Sequence, residues 1–158
     1  MVRIAVSGHR GLREETAVLI DRAIREALVE YLPDISGLSC LADGADQIFA
    51  RGVLDLGGAL EAVIPAKEYR DGLPSQCHAA YDELLGRAAR ALRLDFVEST
   101  SDSHMTASER MLDDADVLFA VWDGQPARGY GGTADVVAEA RRREVPVQVI
   151  WPEGARRD

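Results

Sequence analysis

The segment VLFAVWDGQPARGYGGTADV, residues 117–136, decides how this chain folds. Its apolar run, 117–122, predicts a buried strand that ends at Asp123-Gly124. A short polar loop then leads to Gly-Tyr-Gly-Gly-Thr at 129–133, after which apolar residues recur with helical spacing. A glycine-rich loop between a strand and a helix is typical of a phosphate site. Glycine lets the backbone approach a ligand, and the first N–H groups of a helix have no intrahelical partner.

The same succession of strand, loop and helix recurs along the chain. Short apolar runs predict six strands, at 2–7, 37–41, 60–64, 95–98, 117–122 and 146–151. Apolar residues three and four apart predict five helices, at 14–32, 45–56, 81–92, 104–114 and 133–143. This alternation predicts an α/β fold, a doubly wound, mostly parallel Rossmann-like sheet of about six strands with helices on both faces. We expect a single nucleotide-binding domain over 1–152 and a frayed tail over 153–158.

Length and composition are those of one globular domain. The 158 residues carry a formal net charge of -9, so we do not expect nucleic acid as a partner, because neutralising its phosphates needs a basic face. Cys40 and Cys77 are too few for a disulfide framework and lack metal-ligand spacing. We therefore expect reduced thiols, no metal and a cytoplasmic location. No apolar stretch approaches the roughly 18 residues of a membrane span, so no membrane partner is expected.

The first predicted strand leads into Ser7-Gly8-His9-Arg10-Gly11. Gly8 allows a sharp exit from the strand, and His9 or Arg10 can then face an anion, with Gly11 completing the loop. A tight turn with two solvated side chains explains the segment equally well. A metal-binding role for His9 is not expected, because no partner His or Cys lies at a suitable spacing.

The second predicted strand leads into Ala42-Asp43-Gly44-Ala45-Asp46. Asp43 is placed to cap the following helix, and Asp46, three residues on, completes the pattern of a capping box. Asp46 also lies in the first helical turn, where it can contact a ribose hydroxyl. We consider the structural role of both carboxylates the stronger of the two interpretations.

The loop at 124–132 supplies the third set of candidate residues. Gly131, Gly132 and Thr133 would present N–H groups and a hydroxyl to a phosphate. Arg128 is a candidate counter-charge within the loop, and Tyr130 is a candidate ligand contact because burying it would strain the loop.

Three further candidates flank this loop in the sequence. Asp123, at the strand end, can accept sugar hydroxyls, and Trp122 can flank a base or simply pack at the rim of the core. Arg110, on the preceding helix, is either a phosphate or base contact or one half of a surface ion pair. Because the carboxyl ends of parallel strands meet at one edge of a sheet, all three loops should converge there. The sequence therefore predicts a site for a nucleotide or a nucleotide-derived phosphate ligand, with no cofactor required.

Three segments resemble the SLOG superfamily of Rossmann-like domains. SCLADGADQIFA, residues 39–50, is similar to the S-G-L-A-x-G-x-D segment of the Smf/DprA proteins, with Cys40 in place of a glycine. GYGGTADVV, residues 129–137, is similar to the G-G-x-G-T-x-x-E segment of the Lonely Guy, or lysine decarboxylase-like, proteins. Ser7-Gly8 resembles the first motif of the YpsA-like members. The resemblance implies a nucleotide-type ligand at this edge of the sheet and a homodimer.

The same resemblance points away from catalysis. In the Lonely Guy phosphoribohydrolases and in the similar nucleoside 2-deoxyribosyltransferases, the catalytic glutamate falls on Val136 of this chain. Cleavage of an N-glycosidic bond needs a carboxylate near the anomeric carbon, and valine supplies none. Arg110 lies about one turn from the place of the Lonely Guy catalytic arginine. We therefore predict a binding or sensing module.

Two alternatives stay open. The first is an N-glycosidic-bond enzyme in which Asp123, Asp135 or Glu139 replaces the missing glutamate. The second is a DNA-processing accessory of the Smf/DprA type, against which the net charge counts. The partners expected are a small nucleotide-like ligand and a second copy of this chain.

Overall fold

A computed structural model describes residues 1–158 and places six strands in one sheet, in the order β4-β3-β2-β1-β5-β6. The strands are β1 (Val2–Gly8), β2 (Ile35–Ser39), β3 (Ala59–Ala66), β4 (Arg90–Phe96), β5 (Val117–Val121) and β6 (Val147–Val149). The helices are α1 (Glu14–Val29), α2 (Ala45–Asp55), α3 (His78–Arg87), α4 (Ser101–Asp114) and α5 (Thr133–Arg142). Every neighbouring pair of strands is parallel. The predicted fold class is confirmed.

The order of the strands creates a crevice beside β1. The chain moves outward from β1 through β2 and β3 to β4, then returns to place β5 and β6 on the other side of β1. The direction of winding therefore reverses between β1 and β5. In open parallel sheets, ligands bind outside the carboxyl ends of the strands at such a reversal.

Both faces of the sheet are buried, as a doubly wound fold requires. Side chains alternate along β1, so that Ile4 and Val6 face α1 and α2 while Ala5 faces the helices on the other side. Phe49 of α2 and Phe119 of β5 meet edge to face within the first core, with ring centroids 5.9 Å apart. The second core is formed against α3, α4 and α5. The two packed layers hold the carboxyl ends of the strands in fixed positions.

The largest boundary error of the sequence prediction lies between α3 and β4. The sequence predicted a helix over 81–92 and a strand over 95–98, whereas α3 ends at Arg87 and β4 runs from Arg90 to Phe96. Leu85, Ala88 and Leu92 keep a helical spacing across the boundary, which masks it. As the outermost strand, β4 buries little, and its half-buried positions Leu92 and Leu94 alternate with exposed ones.

The serine-rich segment 99–104 is largely the start of α4, which begins three residues before the predicted helix over 104–114. Thr100 Oγ1 accepts a hydrogen bond from the Ser103 N–H (3.2 Å), and Ser103 Oγ accepts one from the Thr100 N–H (2.9 Å). This reciprocal capping box satisfies two donors that have no intrahelical partner, and it explains why a serine-rich segment begins a helix.

The C-terminal tail contacts the start of α1, and the expectation that it frays stays a prediction. Thr16 exchanges two hydrogen bonds with the backbone of Arg156, at 3.2 and 3.1 Å, and Arg13 pairs with Asp158 at 2.6 Å. The assignment of residues 1–152 to one domain stays a prediction. None of the helices combines the length and the apolar character that crossing a membrane requires.

Candidate functional site

A cavity of about 340 Å³ opens at the carboxyl edge of the sheet. Its walls are the loop after β1, the start of α2, the end of β3, one side of α4, the loop before α5 and the C-terminal residues. It lies beside β1, where the winding of the sheet reverses. The fold therefore places a ligand-sized cavity where the topology predicts one.

Most of the residues predicted to form the site line this cavity. Those that do are Gly8, His9, Arg10, Gly11, Asp46, Arg128, Gly131, Gly132 and Thr133. Those that do not are Asp43, Gly44, Arg110, Trp122, Asp123 and Tyr130. The three glycine-containing loops thus meet in space, although each contributes fewer residues than the sequence indicated.

Five arginines line the cavity and make it locally basic. They are Arg10, Arg13, Arg128, Arg156 and Arg157, whereas Asp46 and Asp158 are the carboxylates of the lining. This concentration occurs in a protein whose formal net charge is -9. A cleft lined by one sign of charge focuses the field and attracts ions of the opposite sign. The cavity is therefore suited to an anion even though the protein as a whole is acidic.

The loop before α5 offers fewer backbone donors than we expected. The Gly131 N–H donates to Asp135 Oδ2 (2.9 Å), and the Gly132 N–H donates to the carbonyl of Gly129 (3.3 Å). Thr133, the first residue of α5, is 7% exposed and lines the cavity. Gly132 is the N-cap of the helix, and no side chain caps it. The donors left for a ligand are the first N–H groups of α5, starting at Thr133, and the Thr133 hydroxyl.

Asp43 does not cap α2 as the sequence predicted. Its Oδ1 accepts from Arg10 Nε (2.9 Å), its Oδ2 accepts from the Gly11 N–H (3.0 Å), and the N-cap of α2 is Gly44. The Ala45 N–H donates to the carbonyl of His9, which ties the start of α2 to the loop after β1. This tie leaves the carboxylate of Asp43 facing that loop. The role of Asp43 is to position Arg10.

Asp46 is a buried carboxyl in the wall of the cavity. Its Oδ2 accepts a hydrogen bond from the Ala42 N–H (3.3 Å), and its side chain is 9% exposed. Burial raises the pKa of Asp46 to about 7, against the smaller lowering effects of this hydrogen bond and of the Arg10 charge. Near neutral pH this carboxyl is therefore a mixture of its protonated and ionised forms.

Asp46→Asn should change how stability depends on pH. Between about pH 4 and 7 the folded protein keeps a proton on Asp46 that the unfolded chain has released, so stability falls as pH rises through this window. Asparagine removes that fall. We expect the free energy of unfolding at pH 8 to rise by about 4 kcal/mol relative to the native chain, with little change at pH 4. Urea unfolding of both proteins at the two pH values measures this change in stability. A smaller gain at pH 8 than at pH 4 would contradict the prediction.

His9 and Asp123 brace the ends of β1 and β5. The Asp123 N–H donates to His9 Nε2 (3.0 Å), so this ring nitrogen carries no proton, and the Gln125 N–H donates to Asp123 Oδ1 (3.0 Å). Burial, helped by the Arg157 charge, holds the pKa of His9 below its ordinary value. The imidazole is therefore neutral, and its place in the cavity wall is fixed by these contacts rather than by an ion pair with Asp123.

Several other candidates lie away from the cavity. Arg110 pairs with Asp114 at 2.7 Å, so of its two predicted roles it has that of a surface ion pair. The Trp122 indole donates to the carbonyl of Gln125 (2.8 Å), and Tyr130 is 60% exposed.

The carboxylates considered for catalysis are also engaged elsewhere. Asp135 accepts from the Gly131 N–H, and Glu139 is paired with Arg142 (2.6 Å) and Arg143 (3.0 Å). Neither these two nor Asp123 lines the cavity. Val136, at the position of the Lonely Guy glutamate, is buried in the core.

Sequence reasoning found only Asp46 of one wall of the cavity and missed the other three side chains. This wall, which we call the polar wall, consists of Asp46, Tyr69, His104 and Ser108. Tyr69 follows β3 in a segment whose apolar residues have neither helical nor strand spacing, so no sequence pattern identifies it. His104 and Ser108 are four residues apart on α4 and therefore share a face of that helix, which is a signal that could have found them.

No family model matches the chain, and no curated protein matches it in sequence. Several solved structures match its fold. DNA processing protein A (DprA) from Streptococcus pneumoniae has a TM-score of 0.69 at 17% identity, over 98% of this chain and 52% of that one. DprA from Helicobacter pylori has a TM-score of 0.70 at 16% identity, over 99% of this chain and 68% of that one. The molybdenum cofactor binding protein of Rippkaea orientalis has a TM-score of 0.60 at 15% identity, over 94% of this chain and 75% of that one.

These similarities define the class of fold. The chain is a Rossmann-like domain with a basic cavity at the carboxyl edge of a parallel sheet. More particularly, the fold is shared with DprA proteins, one of the groups that the sequence resembled. The chain spans about half the length of the S. pneumoniae protein.

The expectation that nucleic acid is not a partner was wrong. It rested on the net charge of -9, but the same fold in H. pylori DprA binds single-stranded DNA. Net charge describes the whole surface, whereas binding depends on the local field. The five arginines around one cavity show how far the local charge differs from the net charge in this chain.

Proposed function

We propose that this chain binds a small phosphate-bearing ligand of the nucleotide type in the cavity at the carboxyl edge of its sheet. The observation that carries the proposal is the meeting of five arginines with the uncapped start of α5 in one cavity. Each feature favours an anion, and each comes from a different part of the fold. Phosphate is the anion that both recognise well.

The phosphate would lie at the start of α5. The N–H groups that begin at Thr133 are available, and the helix dipole adds partial positive charge there. Arg10 and Arg128 line the same cavity, and their planar guanidinium groups suit two-pronged contacts with phosphate oxygens. Asp43 fixes Arg10 through a hydrogen bond of 2.9 Å and an ion-pair contact of 2.8 Å. A charge that is already held in place loses less entropy when the ligand binds.

The size of the cavity limits the ligand. A volume of about 340 Å³ lies near the lower end of the range for small-molecule pockets. A single nucleotide suits this space better than a dinucleotide does. The R. orientalis protein, named for molybdenum cofactor binding, supports the proposal at the level of the fold, because it shows a ligand-binding protein of this architecture.

A role in binding or sensing is favoured over catalysis by two observations. Val136 is buried where the similar hydrolases carry their glutamate, and none of the three candidate carboxylates lines the cavity. The homodimer and the cytoplasmic location implied earlier stay predictions, and light scattering would measure the first.

Binding of single-stranded DNA is a second candidate for the same edge. The likeness to H. pylori DprA favours it, together with the arginines that line the cavity. A strand would present its phosphates one after another to these arginines. Its binding should then weaken steeply with salt, in proportion to the number of phosphates contacted.

A thermal-shift series with nucleoside monophosphates tests the first proposal. A ligand at about 100 times its Kd should stabilise the folded protein by about 2.7 kcal/mol, which raises the Tm by roughly 5–10 °C for a chain of this size. Chromatography of the same mixtures should show no release of free base. Unchanged Tm with every mononucleotide would refute the proposal, and release of base would establish the enzyme instead. Titration of an oligonucleotide at several salt concentrations decides the second candidate.

A further inference from the structure

The polar wall of the cavity has hydrogen-bonding groups that the fold itself does not use. Tyr69 is 3% exposed and lines the cavity, and neither its hydroxyl nor that of Ser108 has a hydrogen-bond partner in the protein. Arg3 Nε, at the other edge of the sheet, is the one fully enclosed side-chain polar atom without a partner. The Tyr69 hydroxyl is therefore reached from the cavity. Because no protein group occupies these hydroxyls, both are free to pair with a ligand in the cavity.

The wall is rigid. Tyr69 meets the ring of His104 edge to face, with centroids 5.5 Å apart, and it also packs against Tyr81 at 6.2 Å. His104 is held by a 2.8 Å hydrogen bond between its Nε2 and Ser99 Oγ. Asp46 is fixed by the Ala42 N–H. Groups that are held in this way recognise a ligand through geometry.

The chemistry of the wall selects the group that it can bind. An apolar group would leave each buried polar group unpaired, at about 1–3 kcal/mol apiece. A cation is disfavoured by the five arginines of the cavity, and a second anion is disfavoured by the carboxyl of Asp46. A neutral hydroxyl both donates and accepts, and so it can pair with a carboxyl, a phenol or a serine.

We propose that Asp46, Tyr69 and Ser108 form a subsite for the sugar hydroxyls of a ligand whose phosphate lies at the start of α5. This inference rests on the proposed function and specifies its ligand class as a sugar phosphate or nucleotide, in which hydroxyls and phosphate fit one small cavity. Asp46 accepts a hydrogen bond from a sugar hydroxyl when it is ionised and donates one when it is neutral, and the hydroxyls of Tyr69 and Ser108 can pair with further hydroxyls of the ligand.

Two probes without a base test the subsite on the full chain, ribose 5-phosphate and inorganic phosphate. Their affinities are measured by NMR titration for the native chain and for Tyr69→Phe and Asp46→Asn. We expect both variants to bind ribose 5-phosphate at least about tenfold more weakly and inorganic phosphate as the native chain does, since one hydrogen bond to a buried group is worth about 1.4 kcal/mol or more. Tyr81→Phe is the matched control, because Tyr81 is equally buried and adjacent but does not line the cavity.

The outcomes separate the two proposals. Native affinity of both variants for ribose 5-phosphate would overturn the hydroxyl subsite and leave the phosphate site standing. Equal weakening for both probes would also overturn it, because the wall would then act only through the shape of the pocket. A native chain that binds neither probe would overturn the proposed function itself. Amide spectra of each variant identify any that fails to fold, and Ser108→Ala then provides the second test.

Discussion

Gly132→Asp should lower the affinity for a mononucleotide about 100-fold while the protein stays folded. Gly132 is the N-cap of α5 and has φ -70°, a conformation open to any residue. Aspartate is a favoured N-cap, so its carboxylate would accept the first N–H groups of the helix. The same negative charge would lie beside the bound phosphate, and two such charges at short range repel by about 3 kcal/mol or more. Calorimetric titration measures the affinity, and urea unfolding measures the stability.

Gly132→Asn is the matched control for charge. Both substitutions add the same Cβ, which would lie 3.0 Å from the Cβ of Ala127, and both can cap the helix. Asparagine carries no charge, so it should lose only the affinity that comes from the N–H groups its side chain caps, and it should bind the nucleotide more tightly than the aspartate variant does. Equal losses for the two variants would mean that crowding, rather than repulsion, disrupts the site. Native affinity in the aspartate variant would mean that the phosphate lies elsewhere.

Gly44→Ala should lower the free energy of unfolding by about 3–5 kcal/mol. Gly44 has φ +85°, which strains any other residue, and a Cβ there would lie 2.6 Å from the carbonyl oxygen of His9. That oxygen belongs to the backbone and accepts from the Ala45 N–H, so it cannot move without separating α2 from the loop after β1. Arg10 lies next to the same contact, so the arrangement of the cavity should change with it.

Gly57→Ala separates backbone strain from crowding. Gly57 has nearly the same φ, +84°, but nothing lies within 4 Å of a Cβ at that position. We expect this variant to lose only about 1 kcal/mol, the cost of the backbone conformation alone. Urea unfolding of both variants at one pH measures the difference. Equal losses would show that the contact with His9 has no energetic weight.

The sequence predicted the fold correctly wherever a buried element makes apolar residues recur with the spacing of a helix or a strand. The apolar run at 117–121 and the helical spacing at 133–142 are set by local geometry, and the structure reproduces both. The prediction was wrong at the boundary of α3 and β4, because β4 is an edge strand with little buried surface. Where burial is weak, the pattern that reports it is weak as well.

The sequence predicted the location of the candidate site better than the hydrogen-bond partners of its residues. Loops after parallel strands meet at one edge of the sheet, so Gly8, Asp46 and Thr133 were expected together, and all three line the cavity. The partner of each polar group could not be predicted. Asp43 reaches Gly11, 32 residues away, and His9 accepts from Asp123, 114 residues away. Such pairs depend on how separate loops approach one another.

By itself, the sequence determined the α/β class, the strand order along the chain and the edge at which three glycine-containing loops gather. These follow from periods and turns that extend over a few residues and are fixed by local sterics and burial. Only the tertiary structure decided which backbone donors remain at the start of α5, that Asp43 orients Arg10, and that Tyr69 faces the cavity. The reason is physical. Hydrogen-bond partners and burial at a site come from residues that are distant in the chain, and no local pattern records them.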